Sequence, residues 1–182
     1  MSTVIETTDT AENAVEHKRP HSVEQPTTAI AGPEGHPFHP MLVTIPIGAW
    51  VCSLVFDIAA SLSNDPVTFG RGAMWLLVIG VAGAVVAAAF GLMDLRGIPR
   101  ETKARATAMA HLTLNSVAVV IFAVNAWLRD ADWKPPFETR WWGFTLSIAG
   151  LLIVGASGYL GGKLAYHYGV RMAGATKQSE GY

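Results

Sequence analysis

Four apolar runs, at 41–63, 73–93, 106–128 and 141–162, alternate along the chain with short stretches rich in charge, proline and glycine. Each run holds roughly 21–23 residues, which at about 1.5 Å per residue crosses a hydrocarbon core of about 30 Å, so each predicts a transmembrane helix. The separators carry helix stop and start signals: Asn64-Asp65-Pro66, then Arg96-Gly97-Ile98-Pro99-Arg100, then the stretch from Arg129 to Pro136. Connections this short force consecutive helices to run antiparallel. The expected fold class is therefore an all-α integral membrane four-helix bundle. Pro40 and Pro46 bracket the start of the first helix and predict a turn followed by a kinked first segment.

Residues 1–35 break this pattern. They are rich in Thr, Glu, Pro and Ala, show no helical or strand period, and hold few large apolar residues to offset the entropy of ordering. They read as a disordered tail, and they lack the basic-then-apolar order of a secretory signal. The cluster His17-Lys18-Arg19-Pro20-His21 reads as solvated. The expected organisation is a tail over 1–35, a four-helix membrane domain over 36–172 and a short flexible tail over 173–182.

Composition agrees with the pattern: 51% of the 182 residues are hydrophobic and only 15% charged, as a membrane protein requires. A formal net charge of -1 gives no reason to expect nucleic acid as a partner. The single cysteine, Cys52, excludes an intramolecular disulfide and any multi-thiolate metal site, which leaves six histidines as the soft ligands. The middle loop carries Arg96, Arg100, Lys103 and Arg105, and Lys163, Arg171 and Lys177 follow the last helix; these ends share one side. The opposite side holds Arg71, Arg129, Lys134 and Arg140 over a longer, acid-diluted stretch. The basic bias places both termini in the cytoplasm. Trp75, Trp127, Trp133, Trp141 and Trp142 fall at the other side, as an interfacial aromatic belt.

Small residues recur at Gly80, Gly83, Ala84, Ala87 and Gly91 on the second helix. On the fourth they stand at Gly143, Ser147, Gly150, Ser157, Gly158 and Gly161. Such stripes let helices approach closely where lipid gives no hydrophobic drive for association, and they also clear room for a flat cofactor. Faces of this kind beyond what one bundle buries would support a homo-oligomer.

Ionisable and amide groups inside the bilayer are costly unless partnered, so each is a functional candidate. His39, Asp94, His111 and His167 come from different helices, and antiparallel threading brings all four to the cytoplasmic end. On the third helix His111, Asn115, Ala118, Phe122 and Asn125 form one stripe that should face inward, with Asn115, one turn from His111, expected to hydrogen-bond between helices or else to orient that imidazole. Asp57 sits at the depth of Asn125, towards the other leaflet. The carboxylate is expected to take a hydrogen bond from Asn125 or the charge of Arg71 or Arg140, as a structural polar pair or else as half of a proton path.

The segments Gly35-His36-Pro37-Phe38-His39-Pro40-Met41-Leu42-Val43, Pro46-Ile47-Gly48 and Phe56-Asp57 resemble the opening of a bacterial four-helix membrane family of unknown function. Gly91-Leu92-Met93-Asp94, Gly97-Ile98-Pro99, Arg105 with His111 and Asn115, and the run from Gly158 to Val170 are similar to its later motifs, with Ala165 where a valine is expected. The resemblance covers nearly everything after Gly35. Members occur alone or joined to Rieske-type iron–sulfur domains, which implies a setting of electron transfer in the bacterial inner membrane. This chain carries no Rieske ligand motif.

Three functions fit these residues. The first is a haem b-binding electron-transfer subunit in which two of His39, His111 and His167 are axial ligands, with Asn115 orienting an imidazole and Arg105, Arg96 or Arg100 pairing with the propionates. The second is a non-haem metal site of His39, Asp94, His111 and His167. The third is a cofactor-free scaffold that docks a Rieske-type or other redox complex. No phosphate-binding glycine loop or hydrolytic triad is present to support an enzyme of those kinds.

Overall fold

The computed structural model describes residues 37–131 and 141–172. The helices are α1 (Phe38–Leu42), α2 (Thr44–Leu62), α3 (Pro66–Arg96), α4 (Lys103–Ala131) and α5 (Trp141–Gly162), and α5 runs on into a π-helical turn, Lys163–His167. Among the described residues there is no strand. Four segments of the described residues are long and apolar enough to cross a membrane: Phe38–Leu62, Pro66–Arg96, Lys103–Arg129 and Trp141–His167. The tails, His36, Trp133, Lys134 and Arg140 lie outside the described residues.

The helices outrun the apolar runs for local reasons. The first span starts at Phe38, so His39 lies in a helical turn rather than in a preceding loop. Pro40 falls in that first turn, where its missing N–H leaves no bond unmade. Pro46 has no N–H for the carbonyl of Leu42, and the helix breaks at Val43. Asp65 caps α3 by accepting from the Thr68 amide at 3.2 Å, with Pro66 at the first helical position, so the helix begins in the polar boundary before the lipid core. Thr102 does the same before α4, its hydroxyl accepting from the Arg105 amide at 3.1 Å.

Around the bundle the neighbours run α2–α3–α4–α5 and back to α2, so α2 and α4 are diagonal and parallel. The core lies where these two meet: Trp50 stacks on Phe122 with ring centres 4.1 Å apart, among Leu77, Ala118 and Ala126. Each ring rests on a glycine of its hairpin partner, Trp50 on Gly80 and Phe122 on Gly150, where a Cβ would overlap the ring. The expected small-residue stripes are thus packing surfaces. The inward stripe on α4 is as expected, with Ala118, Phe122 and Asn125 wholly buried. Trp75, Trp127 and Trp141 are exposed at the side of the α2–α3 and α4–α5 connections.

The two hairpins repeat one another. Ser53 on α2 donates to the carbonyl of Ala73 on α3 at 2.9 Å, and Asn125 on α4 donates to the carbonyl of Gly143 on α5 at 3.0 Å. Asp57 and Arg129 meet across the diagonal 72 positions apart, and Trp50 and Phe122 share that separation. The hairpins α2–α3 and α4–α5 are therefore related by an approximate two-fold axis along the bundle.

Candidate functional site

At the end of the bundle where α1 begins, the same axis brings two imidazoles together. The rings of His39 and His111 have centres 6.3 Å apart and stand at 87° to one another, and these residues too repeat at the common separation. His39 Nδ1 lies 2.9 Å from the carbonyl oxygen of Ala87 on α3, and His111 Nδ1 lies 2.8 Å from that of Ser157 on α5. A carbonyl can only accept, so each Nδ1 carries a proton, and the neutral form of each ring has its lone pair at Nε2. Glycines again make room: Gly91 lies under the His39 ring and Gly161 under that of His111. Ser157 adds its hydroxyl, 3.0 Å from His111 Nδ1 and 3.3 Å from the His111 carbonyl.

Beyond the Ser157 hydroxyl, which Ala87 lacks, the imidazole pair departs from two-fold symmetry at a second place. Asn115 Nδ2 donates to His111 Nε2 at 3.0 Å, one turn back on its own helix, in place of the expected bond between helices. At the equivalent position after His39 stands Val43. Nε2 of His39 meets no hydrogen-bond partner among the described residues.

The other candidates at this end take different partners. Asp94 is buried and accepts from Arg171 Nε at 2.8 Å. Arg105 donates through Nη1 to the carbonyls of Leu95 at 2.6 Å and Ile98 at 3.2 Å, tethering α4 to the C-terminus of α3. His167 ends the π-helical turn with its ring 4.8 Å from that of Tyr168. Beyond it the chain reverses through Gly169 and Arg171, both at positive φ, which carries Arg171 back to Asp94. His39 and His111 are thus brought together, and Asp94 is engaged by Arg171. Among the described residues no group of three or more His, Cys, Asp or Glu gathers as a metal set.

At the opposite end the expected pair of Asp57 and Asn125 is joined through a third residue. Arg129 donates Nη1 and Nη2 to the two oxygens of Asp57, at 2.6 and 2.7 Å, and Nε to Asn125 Oδ1 at 2.9 Å. Asn125 in turn donates to Ser147 Oγ at 3.0 Å, and Ser147 reaches Asp57 at 3.5 Å. Arg129 therefore takes the role expected of Arg71 or Arg140. It stands four residues after Asn125 on the inward stripe, a signal that identifies it.

Two helical hairpins, joined across a pseudo-two-fold axis by paired imidazoles, stacked aromatics and a buried ion pair, define a small multi-span membrane protein with internal repeats. The chain belongs to the predicted membrane protein family DUF2231, whose model matches residues 35–174. Neither a curated protein nor a solved structure matches it.

Proposed function

We propose that this protein holds haem b between His39 and His111 and acts as a small electron-transfer subunit or scaffold of the bacterial plasma membrane. In this reading both termini and the imidazole pair lie on the cytoplasmic side, and the partner is a Rieske-type or other redox membrane complex. The observation that carries it is the pairing and anchoring of the two rings, whose centres are 6.3 Å apart. His39 and His111 would hold the group through Nε2, His111 only after Asn115 releases that nitrogen.

The donor chemistry fits the same group. Metal-binding histidines characteristically donate their second ring N–H to a carbonyl, which fixes the tautomer and raises the basicity of the ligating nitrogen. The carbonyls of Ala87 and Ser157 do this for His39 and His111. Haem b, when bound, supplies a one-electron iron couple. Arg96, Arg100 and Arg105, at the same end, supply cations for its carboxylates.

The test is an oxidised and dithionite-reduced optical spectrum, with metal analysis, of the full chain purified in mild detergent from haem-supplemented cells. The expected result is a Soret band with sharp reduced α and β bands, lost in His39→Ala and weakened or broadened in His111→Ala but kept in His167→Ala. A folded, colourless protein overturns the reading and leaves a cofactor-free scaffold. A pigment indifferent to both His39→Ala and His111→Ala overturns the ligand assignment.

A further inference from the structure

The two ends of the bundle treat their cations differently. At the Asp57 end Arg129 is locked in an ion pair, and Arg71 is engaged as well. At the imidazole end Arg96, Arg100 and Lys103 are exposed and enter no ion pair among the described residues. Asp94 is taken by Arg171, which leaves the exposed Glu101 as the one uncommitted carboxylate of that end among the described residues. These cations stand at headgroup depth, because Arg96 closes the second span and Lys103 opens the third. The connection between them is pinned from inside: Ile98 is buried, Thr102 donates to the Pro99 carbonyl at 2.9 Å, and Arg105 Nη1 holds the carbonyls of Leu95 and Ile98. Arg105 is thus spent on the backbone, while the other three cations are carried outward on a fixed loop, which lowers the ordering cost of binding an anion. The π-helical turn that extends α5 touches α4 and adds Lys163 and the exposed Tyr166, a residue type that anchors at the membrane boundary.

We propose that the α3–α4 connection, with Lys163 beside it, binds the phosphate of an anionic membrane phospholipid through the exposed cations Arg96, Arg100 and Lys103. It does not rest on the haem reading. A phosphodiester in the headgroup layer brings one negative charge to the depth at which these side chains end, and each Lys or Arg near an anionic surface strengthens association by a factor of about five. A zwitterionic headgroup brings a cation of its own to the same place and loses that advantage. Retention of a loop on one side of the membrane requires only its positive charges. A lipid site requires them held together without acidic partners, and the pinned connection does this.

The full chain is reconstituted in phosphatidylcholine vesicles with a trace of spin-labelled phosphatidylglycerol or spin-labelled phosphatidylcholine, and the motionally restricted fraction of each label reads the preference. Both leaflets have the same composition, so the direction of insertion does not affect the result. The expected result is a preference for phosphatidylglycerol of at least about threefold that falls towards unity in about 1 M salt. Glu101→Gln should raise the preference, and the triple variant R96Q/R100Q/K103Q should abolish it. Equal restriction of the two labels by the wild type overturns the proposal, and so does a preference that the folded triple variant retains. A preference indifferent to both salt and Glu101→Gln overturns it as well. Inorganic phosphate that displaces the labelled lipid more than chloride of equal ionic strength also overturns it and makes a soluble phosphate the occupant. The salt and Glu101→Gln measurements leave the cations in place and decide the question even where the triple variant does not fold.

Discussion

Arg129 grips Asp57 with both terminal nitrogens, at 2.6 and 2.7 Å, from the diagonally opposite helix. The pair closes one end of a column whose middle is the Trp50–Phe122 stack and whose other end is the His39–His111 pair. All three layers join α2, or its leading turn α1, to α4, so each ties one hairpin to the other. The Asp57 side chain is wholly enclosed, and the remaining polar atoms of the cluster are satisfied by Asn125, Ser147 and the carbonyl of Gly143.

Removing one member of such a pair strands a charge in low dielectric, at a cost of about 3–5 kcal/mol, whereas removing both is far less costly. Asp57→Leu and Arg129→Met should each lower unfolding free energy by about that amount in detergent titrated with dodecyl sulfate. The double variant should lose much less than the two together. Single variants as stable as the wild type would show that the pair carries no energetic weight.

Glycines on the two sides of these helices should respond oppositely to alanine. At Gly150 a Cβ would stand 2.6 Å from Phe122 Cζ, and at Gly80 it would enter the Trp50 indole, while Gly48 and Gly155 have nothing within 4 Å. Gly80→Ala and Gly150→Ala should therefore cost about 1–3 kcal/mol through overpacking of a rigid stack. Gly48→Ala and Gly155→Ala should be neutral or stabilising by up to about 1 kcal/mol, since glycine weakens a helix. Equal effects at all four positions in the same unfolding titration would contradict the packing described.

The spans and the inward stripe of α4 were legible because lipid imposes a strong rule: long apolar runs become helices, and rare polar residues turn inward. His39 and His111 were readable as neighbours because antiparallel threading fixes depth. The ion pair was harder to read: Arg129 continues the stripe four residues after Asn125, but it ends an apolar run and looks like an ordinary interfacial cation. The repeat was hidden for a different reason. Its paired positions keep a physical role rather than a residue, as with Ser53 and Asn125 donating to carbonyls or Asp57 and Arg129 carrying opposite charges; His39 and His111, Gly80 and Gly150, and Gly91 and Gly161 are identical. The ion pair of Arg171 with Asp94 depends on a chain reversal after the π-helical turn that no periodicity announces.

Acid should loosen the start of α3 before it affects the bundle core. Hydrogen bonds from the Thr68 hydroxyl and amide hold the Asp65 carboxyl below its ordinary pKa. A group with a depressed folded-state pKa contributes stability that is present above its unfolded pKa and is lost as pH falls through the folded one. Protection of the Thr68 amide from hydrogen exchange, corrected for intrinsic rate, should therefore fall as pH drops below the ordinary carboxylate range. In Asp65→Asn, whose cap does not titrate, the protection should be independent of pH. A wild-type amide whose protection is flat across that range would remove the ionised cap from the account.

The orientation can be tested at the α3–α4 connection, where Arg96, Arg100, Lys103 and Arg105 concentrate positive charge. Positively charged short loops are retained on the cytoplasmic side, so this connection and the His39–His111 end should face the cytoplasm. Cys52 is exposed on α2 and must first be replaced by serine to give a silent background. In that background, cysteine at Lys103 should resist an impermeant maleimide in intact cells and react after permeabilisation, while cysteine at Asn64, between α2 and α3, should react in both. Rapid labelling at position 103 from outside would invert the protein and put the imidazole pair, with any redox partner, on the outer face.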